Sequence, residues 1–426
     1  MAWLAKIGPY GGYRLKLSKS SVGWMFYDFA NSAFTTVMVT VVFSVFFVNS
    51  IAAGRPEGGE WYWSLAVSIS MTLAAIAAPI LGAMADYSHS KKKFLFVFTY
   101  LTIASTSLLF FAGKGDYILG MILFIIANFS FNSALVFYDA FLPEVSTPET
   151  IGKISGLGWG LGYLGGLVSL LVALLLVNKG AYRWIWPMNA AHIFLFSLLT
   201  FILLKEKKVA TPKTNYLKVA VDRIVFSLKH IRKMPDLLSY LFSYFLYNVG
   251  IYTVIAFAAI YGGNQFKMSQ QSLIIFFIIA QVTSVIGAVA FGWLSDKYNV
   301  RLSLSVSILV WIGVVAWAFF CTSAKEYYAL GLVAGLAIGS SQANSRTMLS
   351  ILTPLDRQAE FFGFYTLVGR ISAIVGPFVY GNLTRVTGNQ RYAIVSLGAF
   401  FILGWFILQK VNLERGKSLS KTYEFN

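Results

Sequence analysis

The sequence predicts an all-α membrane protein of twelve transmembrane helices, arranged as two pseudo-symmetric six-helix bundles with both termini cytoplasmic. Three observations predict it. The 426-residue chain is 57% hydrophobic and only 12% charged, about half the ~25% charge of a soluble protein. Apolar runs of membrane-crossing length recur twelve times along it. Four short segments of the first half also return, in order, in the second.

A helix crossing ~30 Å of hydrocarbon needs ~20 apolar residues at 1.5 Å each. Such runs lie at roughly 24–49, 62–86, 94–112, 117–141, 154–178, 184–204, 237–261, 270–295, 302–322, 326–349, 362–384 and 391–410. Connections between them are short except for 205–236, which divides the chain into a bundle over 1–204, a basic linker, and a bundle over 237–426. Within the linker, Leu217, Val221, Ile224, Leu228 and Ile231 recur at helical spacing among Lys218, Arg223, Lys229, Arg232 and Lys233. That pattern predicts a basic amphipathic helix on the inner leaflet or an ordinary solvated linker helix, stopped by Pro235.

The charge has a direction. With both termini inside, inner segments hold 24 of the 34 Lys and Arg residues and outer loops hold 8, while Arg346 and Arg370 fall within spans. This bias orients the chain and accounts for the net charge of +17, so nucleic-acid binding is not needed to explain it. The single cysteine, Cys321, excludes an internal disulfide, and His89, His192 and His230 make no metal-ligand spacing. No small-residue cleavage site follows the first apolar run, so no signal peptide is expected. No nucleophile–base pair or metal cluster is recognisable, so the expectation is a non-enzyme without cofactor or metal.

The duplication is read from matched pairs. Gly82 and Asp86 of "GAMADYSHSKKK" match Gly292 and Asp296 of "GWLSDKYNVR", 210 residues on. Tyr27, Asn31 and Thr36 match Tyr244, Asn248 and Thr253 at an offset of 217. Pro143 matches Pro354 at 211, and Gly156 matches Gly363 at 207. Four ordered pairs at nearly constant offset indicate a duplicated six-helix unit. Such a pair of halves about an axis along the membrane normal resembles the major facilitator architecture, and "GAMADYSHSKKK" resembles the loop signature of that superfamily. "YDFANSAF" (27–34), "FYDAFLPE" (137–144), "SSQANSR" (340–346) and "AEFFGFYTLVGR" (359–370) are similar to the branch containing the vacuolar, autophagy-linked amino-acid effluxers and their bacterial relatives. The span-four arginine and span-five Gly-Pro step of drug/proton antiporters are missing, with Tyr163 following Gly162.

The resemblance implies that spans 1, 2, 4, 5, 7, 8, 10 and 11 line a central cavity. The charges within apolar runs all fall on those helices: Asp28, Asp139, Arg346 and Arg370. Charges facing lipid are penalised, so a wet cleft is expected. Arg370 lies ten residues past Glu360, about 15 Å deep, which marks it as the candidate to touch cargo. None of the four has a charged counterpart in the other half: they align with Phe245, Ser350, Leu135 and Tyr163 respectively. Two readings stay open. Either acid pairs with either arginine to close an inner gate, or arginine holds a carboxylate or phosphate of the cargo while an acid holds an ammonium or carries a proton.

Asn31, Asn132, Trp159, Asn248, Gln281 and Gln342 join these charges as candidates for substrate binding or gating, with Tyr27, Asn128, Tyr163, Tyr252 and Asn344 behind them as neutral cavity candidates. Asn or Gln in lipid also serves as packing glue. Gly82, Asp86, Gly292 and Asp296 form a candidate latch, each aspartate facing the positive N-terminal end of a helix in the other half. In "GLGWGLGYLGG", Gly158, Gly162 and Gly166 predict a small-residue packing ridge. The expectation is a monomeric secondary transporter for a small polar or zwitterionic, amino-acid-like solute, in the bilayer of a bacterial inner membrane, with proton coupling open. A drug or lipid exporter, or a non-transporting membrane sensor, is the alternative.

Overall fold

The structure is a computed structural model and describes residues 17–54, 59–206, 218–219, 222, 225–226, 231–268, 270–387 and 389–422. Helices dominate because the apolar runs can satisfy their backbone groups only internally in lipid. The main helices are α1 (Lys19–Ala33, wound on to Ile51), α2 (Gly59–Ser88), α3 (Lys91–Leu108), α4 (Tyr117–Ala140), α5 (Ile151–Asn178) and α6 (Ile185–Leu203). After the linker come α7 (Pro235–Phe266), α8 (Gln270–Lys297), α9 (Val300–Phe320), α10 (Ala324–Leu352), α11 (Gln358–Thr387), α12 (Gln390–Gln409) and the short α13 (Leu413–Thr422). No strand occurs among the described residues.

Eleven helices among the described residues are long and apolar enough to cross a membrane. The tenth expected span, α10, is not one of these. Its 29 residues give it the reach, ~43 Å, but the run "GSSQANSR" (339–346) lowers its hydropathy below that of its neighbours. Polar side chains at this density fit a helix surrounded by protein.

Local chemistry sets the ends. Ser18, Asn299, Ser323 and Asn389 each accept a backbone N–H from the first turn of α1, α9, α10 and α12, the usual N-cap bond. Pro235 opens α7, where its missing N–H costs nothing. Beyond Ala33, α1 is π-wound over Phe34–Val41 and again over Phe47–Ile51. The run "TTVMVTVV" (35–42) is β-branched at all but one position, and such side chains crowd the regular α-helical turn. Asn189 and His192 on α6 bind the Ala33 and Phe29 carbonyls at 2.9 and 3.1 Å, covering acceptors where the winding changes.

One hydrophobic core is built almost wholly from α7–α12, with Tyr240, Tyr247, Trp311 and Phe401 among its side chains. Two others come from α1–α6, around Phe43, Phe124 and Trp186, and around Trp24, Phe137 and Tyr138. Large apolar side chains such as Ile76, Phe111, Ile202, Phe320 and Phe406 point outward, as lipid contact requires. The expected glycine ridge of α5 packs on α1: Gly158 lies against Trp24 and Asp28, Gly162 against Ser32, and Gly166 against Thr36. Of the expected linker helix, Leu217, Val221, Ile224 and Leu228 lie outside the described residues; Ile231–Lys233 form a single tight turn.

Candidate functional site

Four helices converge on Arg346. Trp24 and Asp28 are four residues apart on α1, and Ser155 and Trp159 are four apart on α5, so each pair shares a helix face. Tyr138 and Asp139 come from the end of α4, and α10 supplies the arginine. Both terminal nitrogens of Arg346 donate to Asp28 Oδ2 at 3.1 Å, and Nη1 also donates to Asp139 Oδ1 at 3.1 Å. Nε donates to the Ser155 hydroxyl at 3.2 Å and Nη2 to the Ser155 carbonyl at 2.9 Å. All five guanidinium N–H groups are thereby taken.

The guanidinium lies over the rings of Trp24 (4.6 Å), Trp159 (5.3 Å) and Tyr138 (5.5 Å). Trp24 and Tyr138 stack at 4.6 Å, and the Trp24 indole donates to the Tyr138 carbonyl at 2.8 Å. These rings exclude water and attract the cation. The side chain of Arg346 is 3% exposed, Asp28 6% and Asp139 18%.

A second set of contacts joins the same helices at the end of the bundle carrying the basic loops, here called the basic end. Asp296, at the end of α8, accepts the Gly152 and Lys153 N–H groups at 2.7 and 2.8 Å. Those are two of the unsatisfied donors in the first turn of α5. Asp86, near the end of α2, accepts the Glu360 N–H at 2.9 Å in the first turn of α11. Gly292 lies directly against the Gly152 carbonyl and Gly82 against the Ala359 carbonyl, leaving no room for a side chain at either crossing. Lys91 bridges Asp86 (3.3 Å) and Glu144 (2.9 Å). Both pairs, α5/α8 and α2/α11, are thus shut at the basic end.

Toward the other end α5 and α8 flank a cleft. Gln281 donates to the Tyr163 carbonyl at 3.1 Å, and one turn further out this cleft of about 470 Å³ opens among Val42 and Phe46 of α1, Leu170 and Leu174 of α5, and Ile278 of α8.

Arg370 stands apart from the Arg346 cluster. It forms no ion pair among the described residues, and its Nε is buried without a hydrogen-bond partner. Tyr244 and Tyr252, on one face of α7, bring their hydroxyls against neighbouring Gly369. Asn31 Nδ2, Trp159 Nε1 and Asn248 Nδ2 are also buried and unpartnered. Every one of these orphaned groups is an N–H donor.

Of the residues singled out in the sequence, the structure brings Asp28, Asp139, Trp159 and Arg346 together and leaves Arg370 separate. Asn132 donates within its own helix to the Asn128 carbonyl at 2.6 Å, and Asn128 donates to Ser70 on α2 at 2.8 Å. Gln342 is partly exposed on α10. Two neutral cavity candidates face other helices: Asn344 donates to Ser303 on α9 at 2.8 Å, and Tyr27 meets Thr99 on α3 at 2.7 Å. Sequence reading missed Ser155, Trp24 and Tyr138. Ser155 sits beside Gly156, a matched repeat position, which was the available signal.

The geometry agrees with what this chain resembles. Residues 62–421 match the family model described as "Vacuole effluxer Atg22 like". An MFS-type transporter of Bacillus subtilis, YxiO, named as uncharacterized, is 27% identical over 419 residues, covering 95% of this chain and 98% of its own. Autophagy-related protein 22 of Kluyveromyces lactis is 26% identical over 396 residues, covering 83% and 79%. Among solved structures, the major facilitator transporter FucP in its outward conformation aligns with a TM-score of 0.74 at 12% identity, covering 92% of this chain and 98% of its own. The proton:xylose symporter XylE aligns with a TM-score of 0.71 at 15% identity, covering 95% and 97%. These two likenesses concern the fold.

Proposed function

Because this chain belongs to the Atg22-like vacuole effluxer family of major facilitator transporters, we propose that it moves a small zwitterionic, amino-acid-like solute by rocker-switch alternating access, coupled to protons. The observation that carries this is a charge imbalance. Arg346 shares one positive charge between two carboxylates, so that cluster carries one negative charge in excess whenever both acids are ionised. Arg370 keeps its positive charge with no acidic partner among the described residues. A solute bearing an ammonium and a carboxylate complements both, and the carboxylate suits the orphaned donors of Asn31, Asn248 and Trp159. Uncompensated buried charge is costly, so binding such a solute is favoured.

The gating step follows from where the contacts sit. The halves over 1–204 and 237–426 are pinned at the basic end by Asp86 on α11 and Asp296 on α5, and deeper by Arg346 on Asp28 and Asp139. Opening that end separates each pair together. The excess of Lys and Arg in the basic loops supports a cytoplasmic position for it, in the inner membrane of a bacterium. One monomer contains all these parts.

The apolar cleft favours a second reading, export of an apolar drug or lipid. Uptake into proteoliposomes, screened over amino acids, peptides, organic anions and apolar drugs with and without a pH gradient, separates the two. Flux of zwitterions that disappears in Arg370→Ala supports the proposal. Flux confined to apolar solutes refutes it.

A further inference from the structure

The two acids on Arg346 are not equivalent. Asp28 receives an N–H from each terminal nitrogen and has a 6% exposed side chain; Asp139 receives one N–H and has an 18% exposed side chain. Their shared surplus of negative charge lies among Trp24, Trp159 and Tyr138, away from water. Two carboxylates in one site disfavour each other's ionisation. The one held by fewer donors and reached more readily by water is Asp139.

The ionisable groups facing Asp139 are Tyr27 and Asp28 on α1, Tyr138 on its own helix and Arg346 on α10. From α5 come the Ser155 hydroxyl and the Trp159 ring. Lys91, Asp86 and Glu144 are paired with one another nearer the basic end, and Arg370 on α11 forms no pair among the described residues. Among the described residues no second cation neutralises the cluster.

We propose that Asp139 carries an exchangeable proton: it is protonated while the gate is shut and empty, and deprotonated when a cationic group of the solute lies against the two acids. In the exchange the O–H bond of the Asp139 carboxyl breaks, the proton passes to water, and the solute's ammonium supplies the missing positive charge. One proton leaves for each cation bound, so solute and proton are exchange partners at this gate. This rests on reading the Arg346 cluster as the moving gate of a transporter.

The test needs no solute. Trp24 and Trp159 flank the guanidinium and report on the cluster. Tryptophan fluorescence of the purified full-length protein is followed between about pH 5 and 9, a range that includes shifted carboxylates and histidine. Groups outside the cluster, His192 on α6 and Asp296 on α8 among them, are present in every variant, so difference curves are taken to isolate the cluster. Either Asn variant removes the surplus charge, so the fluorescence transition is expected in wild type and in neither Asp139→Asn nor Asp28→Asn. The acid that holds the proton is assigned by infrared spectroscopy, where the carboxylic C=O band is expected to move in Asp139→Glu and to stay in Asp28→Glu. Melting curves verify that all four variants are folded. A transition that survives in Asp139→Asn, or a C=O band that moves in Asp28→Glu instead, overturns the assignment. A failed uptake screen refutes the proposed cargo and leaves this titration standing.

Discussion

Replacing Asp296 by Asn tests the basic-end closure directly. The carboxylate accepts two short backbone N–H bonds, 2.7 and 2.8 Å, at the first turn of α5. Charge-assisted bonds are each worth roughly 1.5–3 kcal/mol, and the helix terminus adds about 0.3–1 kcal/mol. In the open state water replaces these partners, and Asn keeps one carbonyl acceptor. Asp296 is also only partly buried, which lets water screen the charge. The net bias lost is therefore about 1–3 kcal/mol, or about 5- to 150-fold in the closed-to-open ratio. Spin labels on Glu149 and Tyr298, both exposed at the basic end in opposite halves, report that ratio by pulsed dipolar spectroscopy, with Cys321 replaced by Ser. The distance distribution is expected to gain a longer component in Asp296→Asn, and further in the double variant with Asp86→Asn. Identical distributions in all three would show that these carboxylates do not hold the end shut.

Arg346→Ala leaves two buried carboxylates without their cation and is expected to cost about 3–5 kcal/mol, read as a large fall in melting temperature; Arg346→Lys keeps the charge but not the five-fold donor set, so it should melt in between and transport poorly. Arg370→Ala removes a cation whose Nε has no partner, so its melting temperature should stay level or rise while flux is lost; a marked drop in stability would mean the arginine is structural. Gly82→Val and Gly292→Val thrust side chains into the Ala359 and Gly152 carbonyls. Each is expected to increase maleimide labelling of a cysteine placed at Lys153, and unchanged labelling would refute tight closure there.

The fold was legible because lipid is a demanding solvent. A chain that must hide its backbone polar groups for ~30 Å advertises each crossing as an apolar run, and the observed helices lie on the expected runs to within a few residues. The duplication was equally legible at Gly82/Gly292 and Asp86/Asp296, since close crossings and helix-end contacts demand specific residue types. Other features carried at most a neighbour's signal, as Ser155 did beside the matched Gly156. Ser155 contributes a hydroxyl and a carbonyl to the guanidinium, yet a serine in a glycine-rich helix looks like any other small residue. Asn344 and Arg346 are two positions apart on α10, and a rotation of about 100° per residue turns one to α9 and the other to the gate.

The sequence alone determined how many charges enter the apolar spans, on which helices they lie, and that both acids belong to one half and both arginines to the other. Which arginine meets the acids was a tertiary decision. Arg346 lies eight residues before Pro354, about 12 Å deep, and Arg370 about 15 Å; the two depths barely differ, and helix rotation and crossing set the rest. Packing of α10 against α5, with Ser155 bonded to the Ala343 carbonyl at 2.8 Å, turns Arg346 onto Asp28 and Asp139. Arg370, on α11, meets no protein carboxylate among the described residues, and that asymmetry arises only when the helices are assembled.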